Sequence, residues 1–349
     1  MPTIRDVAEQ AGCSIATVSR VLNGTAPIAT DTRGRVAEAI SALGYRRSEV
    51  GRSLKRQTTE TIGLVVPSLT NPVFASSAQG VQSQARSLGM GVLLATSDYD
   101  PDLELKAVEA FLGQRVDGLL ITVCDPENSP ALALLDVEAK PYVLLYNQPT
   151  RGERPAVTVD NVAAAKAMTG AMLAAGHRRI AFVAGRFASS DRSRLRYQGF
   201  TQALAERGLA ATPPIEVDFL AEEPDAALAP RFRRARPPTA LFCSNDIVAL
   251  AAIAALRRLG LDVPEDVSVT GFDGIAIGTM VHPALTTVRQ PTRAMGVCAM
   301  ELLVKRIAGR AIPPVTFVDY ELRQGGTLAH ARTQRRGDKS RRHGEGTPP

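Results

Sequence analysis

The residues best suited to binding a small molecule lie shortly after apolar runs in the sequence. Asn71, Asp125 and Asn147 follow three such runs in the first half of the chain. Asn245 and Asp273 follow two runs in the second half. Amide and carboxylate groups pair with hydroxyl groups, and a buried hydroxylated ligand needs a partner for each polar atom. The pattern therefore predicts a site for a small polyhydroxylated molecule such as a sugar.

A second set of residues, near the N-terminus, has the spacing of a helix that reads DNA. Ser14 can cap a helix that begins at Ile15. Apolar side chains at positions 18, 21 and 22 would form its inward stripe. The outward face would carry Ile15, Ala16, Ser19 and Arg20, and a helix-turn-helix presents such positions to the major groove. On spacing alone, an ordinary amphipathic hairpin inside a core is the alternative.

Motifs for catalysis are missing from the sequence. It contains no G-x-G-x-x-G, G-x-x-x-x-G-K-[ST], G-x-S-x-G or H-E-x-x-H. The cysteines, Cys13, Cys124, Cys243 and Cys298, are far apart, and the four histidines are dispersed. We therefore expect reduced thiols, no metal site and no cofactor. The sequence favours a binding protein over an enzyme.

Two further helices must hold the DNA-reading helix in place. Thr3 and Asp6 have the spacing of a capping box for a first helix, and Gly12 suits the turn that ends it. Apolar residues at 36, 39, 40 and 43 predict a third helix that ends at Gly44. Together the three segments predict a small three-helix unit.

A regular alternation of strands and helices must position the residues at the strand ends. We predict strands at 61–66, 91–96, 118–123, 142–146, 180–185, 240–244 and 267–272, and helices that include 161–175, 193–207 and 247–259. Apolar runs separated by helices indicate parallel strands covered on both faces, the doubly wound α/β arrangement. The pattern restarts near residue 161, so we expect two lobes and a cleft lined by the carboxyl ends of their strands.

Length and charge agree with a multidomain binding protein. The 349 residues, 45% hydrophobic and 22% charged, are enough for two or three domains. Residues 1–57 hold nine Lys/Arg against five Asp/Glu, and residues 331–349 hold six against two. A basic N-terminal region suits phosphate contact, and the basic tail is expected to be disordered. Without an apolar signal or spanning segment, we expect no membrane contact and a cytoplasmic location.

Several segments resemble one known protein family. DVAEQAGCSIATVSRVLNG, followed by TRGRVAEAISALGY, resembles the DNA-binding headpiece of the LacI (lactose repressor) family of bacterial transcription regulators. GHRRIAFVAG, PTALFCSND, VPEDVSVTGFDG and PALTTVRQP resemble that family's periplasmic-binding-protein-like effector domain. The resemblance implies a headpiece at 1–46, a hinge at 47–59, a two-lobed effector-binding and dimerisation domain at 60–330, and a tail at 331–349.

The resemblance also implies which residues meet DNA. In the headpiece these are Thr3, Ser14, Ile15, Ala16, Thr17, Ser19, Arg20 and Asn23. In the hinge, Arg52 would contact DNA and Leu54 would insert into the minor groove, where an apolar wedge kinks the duplex. Gly51 stands where the family usually has alanine, and glycine in a helix costs about 1 kcal/mol. The hinge helix is therefore expected to form less readily than in relatives.

For the cleft, the resemblance implies effector contacts by Phe74, Arg196, Phe219, Asn245, Asp273 and Gln290, and the strand-end pattern adds Asp125. Arg196 would grip ligand oxygens with two nitrogens, and Asp273 would accept hydrogen bonds from hydroxyls or an amine. Alternatives remain open: the two phenylalanines as core residues, Asn245 as a helix cap, and Asp273 as a turn former.

Three residues of this chain bear on the kind of ligand. Tyr146 stands where many relatives of the family have aspartate, which puts the sugar class in doubt. Arg192 and Arg194 would either bring positive charge to the cleft, for a phosphorylated or carboxylated ligand, or lie on a solvated helix face.

The sequence as a whole predicts a transcription regulator, expected to be a repressor, that binds near-palindromic double-stranded operator DNA as a homodimer or tetramer. A small sugar or sugar derivative between the lobes would control its DNA affinity. One alternative is a solute-binding protein of the transport type, which the intact headpiece and the missing signal peptide disfavour. The other is a regulator that senses a partner protein through the surface of the lobes.

Overall fold

A computed structural model describes residues 2–24, 27–45, 58–151, 154–219 and 224–331. The chain divides into two compact units, Met1–Thr59 and Glu60–Pro349. The expected hinge residues Gly51, Arg52 and Leu54 lie outside the described residues, as does the basic tail from residue 332 onward.

None of the helices in the described ranges is long and apolar enough to cross a membrane.

The first unit contains the three predicted helices, α1 (Ile4–Gln10), α2 (Ile15–Asn23) and α3 (Thr30–Leu43). The predicted capping box starts α1: the Asp6 N–H donates to Thr3 Oγ1, and the Thr3 N–H donates to the Asp6 carboxylate at 2.6 Å. Gly12 has a left-handed backbone, with φ of +61°, at the turn before α2. Small apolar side chains from all three helices form the core: Val7, Ala8, Ala11, Val18, Val36 and Ala39.

The second unit alternates strands and helices as predicted. Its strands are β1 (Thr61–Val66), β2 (Gly91–Thr96), β3 (Gly118–Ile121), β4 (Tyr142–Leu145), β5 (Ala156–Thr158), β6 (Ile180–Gly185), β7 (Ile215–Val217), β8 (Ala240–Cys243), β9 (Ser268–Asp273), β10 (Thr286–Arg289), β11 (Val315–Phe317) and β12 (Glu321–Arg323). Its helices are α4 (Pro72–Ser87), α5 (Pro101–Gly113), α6 (Pro130–Val137), α7 (Asn161–Ala174), α8 (Asp191–Ala205), α9 (Asp225–Phe232), α10 (Asp246–Arg258), α11 (Ile277–Met280) and α12 (Thr292–Ile307).

These strands form two sheets, one in each lobe. The first has the order β11-β5-β4-β3-β1-β2 and the second the order β12-β10-β9-β8-β6-β7. All pairings are parallel except that of β10 with β12. Each sheet packs apolar side chains on both faces, in separate core clusters. The doubly wound α/β prediction is confirmed.

Within the described ranges the chain crosses between the lobes three times, which the sequence pattern did not reveal. It passes from β5 to α7, from β10 to α12, and from β11 to β12. Helix α12 packs on α4 and on β3 and β4, so it belongs to the first lobe although it follows the second in sequence. The lobes are therefore joined by three adjacent segments, a geometry that allows them to rotate about a common hinge.

Helices α4 and α12 cross unusually closely. A Cβ added at Gly80 would lie 2.1 Å from the carbonyl oxygen of Arg293, and one at Gly296 would lie 2.1 Å from that of Ser77. No real side chain tolerates such distances, so each helix needs glycine where it meets the other backbone. This crossing fixes the start of α4, which carries several residues of the site described next.

Candidate functional site

The exposed face of α2 is the candidate DNA-reading surface. The Ser14 Oγ accepts the Thr17 N–H at 3.1 Å and so caps the helix. Val18 is fully buried, whereas Ile15 is 43% exposed and Ala16 and Arg20 are also exposed. The predicted outward positions of Ile15, Ala16 and Arg20 are confirmed, because these side chains are exposed.

The remaining headpiece residues implied for DNA contact are partly engaged in local structure. The Thr3 hydroxyl pairs with Asp6, and the Ser14 and Thr17 hydroxyl oxygens lie 2.9 Å apart. Ser19 is half-buried. The side chain of Asn23 lies outside the described part of the chain. The DNA-binding role of each of these residues stays a prediction.

A small cavity of about 30 Å³ lies between the two lobes, at the carboxyl ends of their strands. It has room for about one water molecule, so the lobes are closed on each other. Its lining comes from both sheets: Asn71, Val73, Phe74, Tyr99, Tyr146, Ser190, Arg192, Ser193, Arg196, Phe219, Ser244, Asn245, Asp273 and Gln290.

The structure brings together most of the residues that the sequence singled out for the effector. Phe74, Arg196, Phe219, Asn245, Asp273 and Gln290 all line the cavity. Asp125 does not: its carboxylate pairs with Arg194 at 3.4 Å and accepts the Glu127 N–H at 3.0 Å. Asp125 lies outside the closed cavity because Arg194, on α8 of the other lobe, engages its carboxylate, and its role in effector binding stays a prediction.

Three helices begin at the cavity, and their N-caps line it. The Asn71 Oδ1 accepts the Val73 N–H at the start of α4, and the Asn245 Oδ1 accepts the Val248 N–H at the start of α10. Ser190 caps α8. Asn245 is thus both a helix cap and a cavity residue. Because a helix N-terminus carries partial positive charge, the three caps give this cavity a positive character.

Arg196 is buried beneath the cavity and largely committed to protein contacts. Its Nε donates to Asn161 Oδ1 at 2.9 Å, and its Nη1 donates to the Ser244 carbonyl at 2.5 Å and the Asp273 carboxylate at 3.5 Å. The guanidinium also lies 3.5 Å from the centre of the Phe272 ring. Only Nη2 lacks an acceptor among the described residues, so the predicted two-nitrogen grip on a ligand is not available in this arrangement.

Asp273 lies at the end of β9 in a strained conformation. Its φ is +120°, and its Oδ1 accepts the Gln290 amide at 2.7 Å. Burial raises the pKa of Asp273 to about 6, while the charge of Arg196 opposes that shift. The neighbouring guanidinium favours the ionised carboxylate, which can accept hydrogen bonds from ligand hydroxyls.

Aromatic rings close the cavity from both lobes. The ring of Tyr99, after β2, stacks on Phe219, after β7, with centroids 4.6 Å apart. Phe74 meets the Tyr146 ring edge-on at 5.4 Å. Burial raises the pKa of Tyr99 to about 12, so its hydroxyl stays protonated. The rings offer flat apolar faces of the kind on which the C–H side of a sugar packs.

Backbone strain is concentrated at this cavity. Of the seven non-glycine residues with positive φ in the described ranges, three line it: Tyr99, Tyr146 and Asp273. Such conformations cost about 1 to 3 kcal/mol each and persist where the surrounding structure imposes them, often at binding sites. The strain supports the choice of this cavity as the functional site.

Polar contacts between the lobes hold the cavity closed. The Asp191 carboxylate of α8 accepts hydrogen bonds from the Asn147 side chain at 2.8 Å and the Gln148 N–H at 3.0 Å. The Asp191 N–H donates to the Cys124 carbonyl at 2.9 Å. All three partners belong to the first lobe, so Asp191 joins the lobes directly.

The closed cavity adjoins a wider groove of about 650 Å³. Val73, Asp273 and Gln290 line both spaces, and Arg289, Arg293 and Arg323 border the groove. The groove and the cavity therefore share a wall.

Sequence reasoning missed Tyr99 and left Arg192 undecided. The strand-end rule would have found Tyr99 had it been applied to β2, whose run GVLLAT is followed by Ser-Asp-Tyr. Arg192 is only 6% exposed and lines the cavity, so it does not lie on a solvated face. No signal in the sequence tells which face of α8 the first lobe covers.

In the described ranges, no group of three or more His, Cys, Asp or Glu side chains is arranged to hold a metal ion.

Comparisons with known proteins agree with both parts of the chain. Residues 3–48 match the family described as bacterial regulatory proteins, lacI family, and residues 169–328 match a periplasmic binding protein-like domain. The HTH-type transcriptional repressor PurR of Aliivibrio salmonicida is 36% identical over 88% of this chain and 92% of its own. The HTH-type transcriptional regulator GntR of Escherichia coli is 33% identical over 94% of this chain and 98% of its own.

Solved structures give the same result over nearly the whole chain. The lac repressor dimer bound to operator and the anti-inducer ONPF has a TM-score of 0.85 at 27% identity, covering 94% of this chain and 99% of that one. The complex of the transcriptional regulator CelR with cellobiose has a TM-score of 0.69 at 30% identity, covering 94% and 100%.

Proposed function

This chain belongs to the lacI family of bacterial transcription regulators, and from that premise we propose that it is a repressor whose operator affinity is set by a small effector in the interlobe cavity. It binds near-palindromic double-stranded DNA as a homodimer or tetramer, because a two-fold assembly presents two α2 helices to successive turns of the major groove.

The exposed face of α2 carries this proposal. The helix is capped, has nine residues and buries Val18 fully on its inner side. Ile15, Ala16 and Arg20 are exposed on its outer side and are not needed for packing of the headpiece core. Arg20 reads guanine through O6 and N7, and Ile15 and Ala16 contact thymine methyl groups or permit close approach. The other DNA contacts come from Thr3, Ser14, Thr17, Ser19, Asn23, Arg52 and Leu54.

The interlobe cavity supports the effector half of the proposal. Phe74 and Phe219 pack on the apolar face of the ligand, and Asn245, Asp273 and Gln290 bond its hydroxyls. Among relatives of similar fold, the lac repressor binds operator as a dimer and CelR binds cellobiose. By analogy with these relatives, we propose a sugar-like effector for this chain. The aromatic and polar side chains that line the cavity suit such a ligand.

The effector acts through the relative position of the lobes. It shifts the protein on or off DNA only to the extent that it binds one lobe arrangement more tightly than the other. The protein acts by binding alone, with no catalytic step, and it works where the chromosome is, in the bacterial cytoplasm.

Selection of bound sequences from random DNA tests this function. Purified protein should enrich a near-palindrome with half-sites about one helical turn apart. A library of small sugars and sugar derivatives should then contain a compound that changes affinity for that operator. Equal binding to all sequences, after correction for salt, would contradict a sequence-specific regulator.

A further inference from the structure

Arg192 lies against the cavity with part of its guanidinium unused. Its side chain is 7% exposed, and its Nη1 donates to the Val123 carbonyl at 3.2 Å and to Asp191 Oδ1 at 2.9 Å. Its Nε and Nη2 have no acceptor among the described residues. Because Arg192 lines the cavity and these two nitrogens are not used by the protein, this edge can donate to a ligand.

The free edge has a defined geometry. The Nε–H and Nη2–H bonds of a guanidinium are parallel and match the two oxygens of one carboxylate. Nη1 is fixed by Val123 and Asp191, so the fork is held in place before any ligand arrives. Arg192, and not Arg196, is therefore the residue that can make a two-nitrogen contact.

The negative groups near this edge are already paired. Both oxygens of Asp191 accept hydrogen bonds from Asn147, Gln148 or Arg192 itself. Asp273 is held by Gln290 and Arg196. Asp246 lies behind the cavity, where its carboxylate accepts from the Thr287 hydroxyl and the Ile275 N–H.

Among the described residues, the side chains that line the cavity include more cations than carboxylates, although Arg192 forms an ion pair with the neighbouring Asp191. Two arginines, Arg192 and Arg196, and one carboxylate, Asp273, line it. The N-termini of α4, α8 and α10, each with a partial positive charge of about half a unit, converge on the same space. An anion placed here replaces the water that these donors would otherwise need.

We propose that the effector is a hydroxylated carboxylate of monosaccharide size, an aldonate or a uronate, whose carboxylate is bound by Arg192. This inference rests on the proposed function and specifies its ligand. Asp273, Asn245 and Gln290 bond the hydroxyls, and the rings of Phe74 and Phe219 cover the carbon chain. The lobes separate to admit the ligand, since the closed cavity holds only about 30 Å³.

A carboxylate fits better than a phosphate ester. Arg192 offers one two-nitrogen edge and Arg196 a single free nitrogen, and no lysine of the described residues lines the cavity. A phosphate group has three oxygens and close to two negative charges, and would leave part of that charge unpaired in a buried site.

Titration calorimetry of the full-length protein with matched probes tests the ligand class. The probes are D-glucose, D-gluconate, D-glucuronate and glucose 6-phosphate, and D-galactose with D-galactonate and D-galacturonate, at one ionic strength. We expect at least one acid to bind at least tenfold more tightly than its neutral partner. Tighter binding by a neutral sugar or by the phosphate ester, or binding by none of the acids, would overturn the proposal.

Paired variants identify the residue responsible. Arg192→Met keeps the side-chain volume but removes the fork, and should weaken the acid about ten- to a hundredfold, the factor expected for a lost charged hydrogen bond. It should weaken binding of the neutral sugar much less than binding of the acid, and Arg192→Lys, which restores the positive charge, should recover part of the loss of acid binding. The control is Arg194→Met, two residues along α8, which bonds Asp125 and Phe187 instead of lining the cavity. Equal loss in both variants, or loss of acid and neutral binding alike, would mean that Arg192 serves only to join the lobes.

Measurements of operator binding distinguish failure of the carboxylate proposal from failure of the proposed function. If the protein selects an operator and a neutral sugar changes that binding while the acids do not, the carboxylate proposal fails and the proposed function stands. If no DNA sequence is preferred, the proposed function itself fails, whichever small molecule binds.

Discussion

Arg20 is the residue of α2 whose removal should change sequence preference most directly. It is exposed, and its guanidinium can pair with two guanine acceptors in the major groove. Arg20→Ala should cost about 1 to 3 kcal/mol on the preferred operator and relax the choice of base at one position in each half-site. Binding to a panel of single-base operator variants measures both effects.

A matched control for Arg20 lies on α3. Arg33 is also exposed, and Arg33→Ala removes the same charge from the headpiece without touching the α2 face. It should weaken binding to all sequences to a similar small extent. If Arg20→Ala behaved in the same way, Arg20 would contact only phosphate.

Glu104 is a buried carboxyl next to the interlobe contacts. It is 1% exposed; its Oε1 accepts the Cys124 N–H at 2.7 Å, and its Oε2 has no partner among the described residues. Burial raises the pKa of Glu104 from 4.5 to about 7. The folded protein therefore holds a proton on Glu104 at pH values where the unfolded chain has lost it.

The pH dependence of stability follows from that raised pKa. The contribution of Glu104 to folding is fully present below about pH 4.5 and is lost as the pH rises through about 7. Glu104→Gln keeps the acceptor for Cys124 but cannot ionise, so it should be more stable than wild type at pH 8 by up to about 3 kcal/mol. At pH 4.5 the gap should nearly vanish. Denaturant unfolding at both pH values measures it, and a constant gap would show that the carboxyl does not titrate in this range.

At the level of elements, α3 is the headpiece helix whose N-terminus lacks a side-chain cap. Its N-cap, Ala29, has no side chain able to accept a hydrogen bond, whereas Thr3 and Ser14 cap α1 and α2. Ala29→Ser should stabilise the helix by about 1 kcal/mol. Amide hydrogen exchange of α3 in the full-length protein should slow accordingly, with α1 as the internal reference. Unchanged exchange would mean that the first turn is already satisfied by other groups.

The close crossing of α4 and α12 makes a second prediction at this level. Gly296→Ala would place a Cβ 2.1 Å from the Ser77 carbonyl oxygen and must push the helices apart. We expect a loss of about 1 to 3 kcal/mol in stability, as for other overpacked sites, and weaker effector binding because α4 begins at the cavity.

Gly170→Ala is the control for Gly296→Ala: Gly170 is inside α7, with nothing within 4 Å of the added Cβ. It should stabilise by about 0.5 to 1 kcal/mol. Similar thermal unfolding of both variants would contradict tight packing at Gly296.

The elements that the sequence predicted are those with a strong local pattern. The strand at 61–66 was placed to the residue, because its run of mostly apolar residues lies between the polar Glu60 and Pro67, which cannot donate to a sheet. The strands Ile215–Val217, Val315–Phe317 and Glu321–Arg323 were not predicted, because three residues carry no usable periodicity and only pairing within a sheet defines them. The return of α12 to the first lobe was missed for the same reason: it depends on contacts remote in sequence.

The sequence predicted the site residues whose location depends on the end of a strand. It did not predict those whose location depends on contact between the two lobes. Asn245 and Asp273 follow strands, and the carboxyl edge of a parallel sheet brings such residues together. Asp125 also follows a strand, but α8 of the other lobe engages it through Arg194. Arg192 was ambiguous because burial on α8 comes from the first lobe. The role of such residues can be assigned only from a structure that contains both lobes.

For the whole molecule, effector and operator must influence each other equally. An effector that changes operator affinity by a given factor changes its own affinity in the presence of operator by the same factor, typically about 5- to 150-fold. Calorimetric titration of the effector with and without operator DNA should therefore give a ratio within that range. A ratio near one would mean that the cavity binds a ligand without reporting it to DNA.

The stack of Tyr99 on Phe219 sets how readily the closed lobes admit a ligand. The rings come from different lobes and lie 4.6 Å apart over a cavity of about 30 Å³, so they must separate before an effector enters. An aromatic pair contributes about 0.5 to 1.5 kcal/mol, which corresponds to about two- to tenfold in the population of opened lobes. Tyr99→Ala should therefore raise the effector association rate by about that factor, because binding that waits for a conformational change is slowed by it. Stopped-flow binding measures this rate, and the control is Tyr197→Ala, which removes ring contacts with Phe182, Phe187 and Phe200 inside the second lobe. An unchanged rate in Tyr99→Ala would show that another contact, such as Asp191 with Asn147, limits opening.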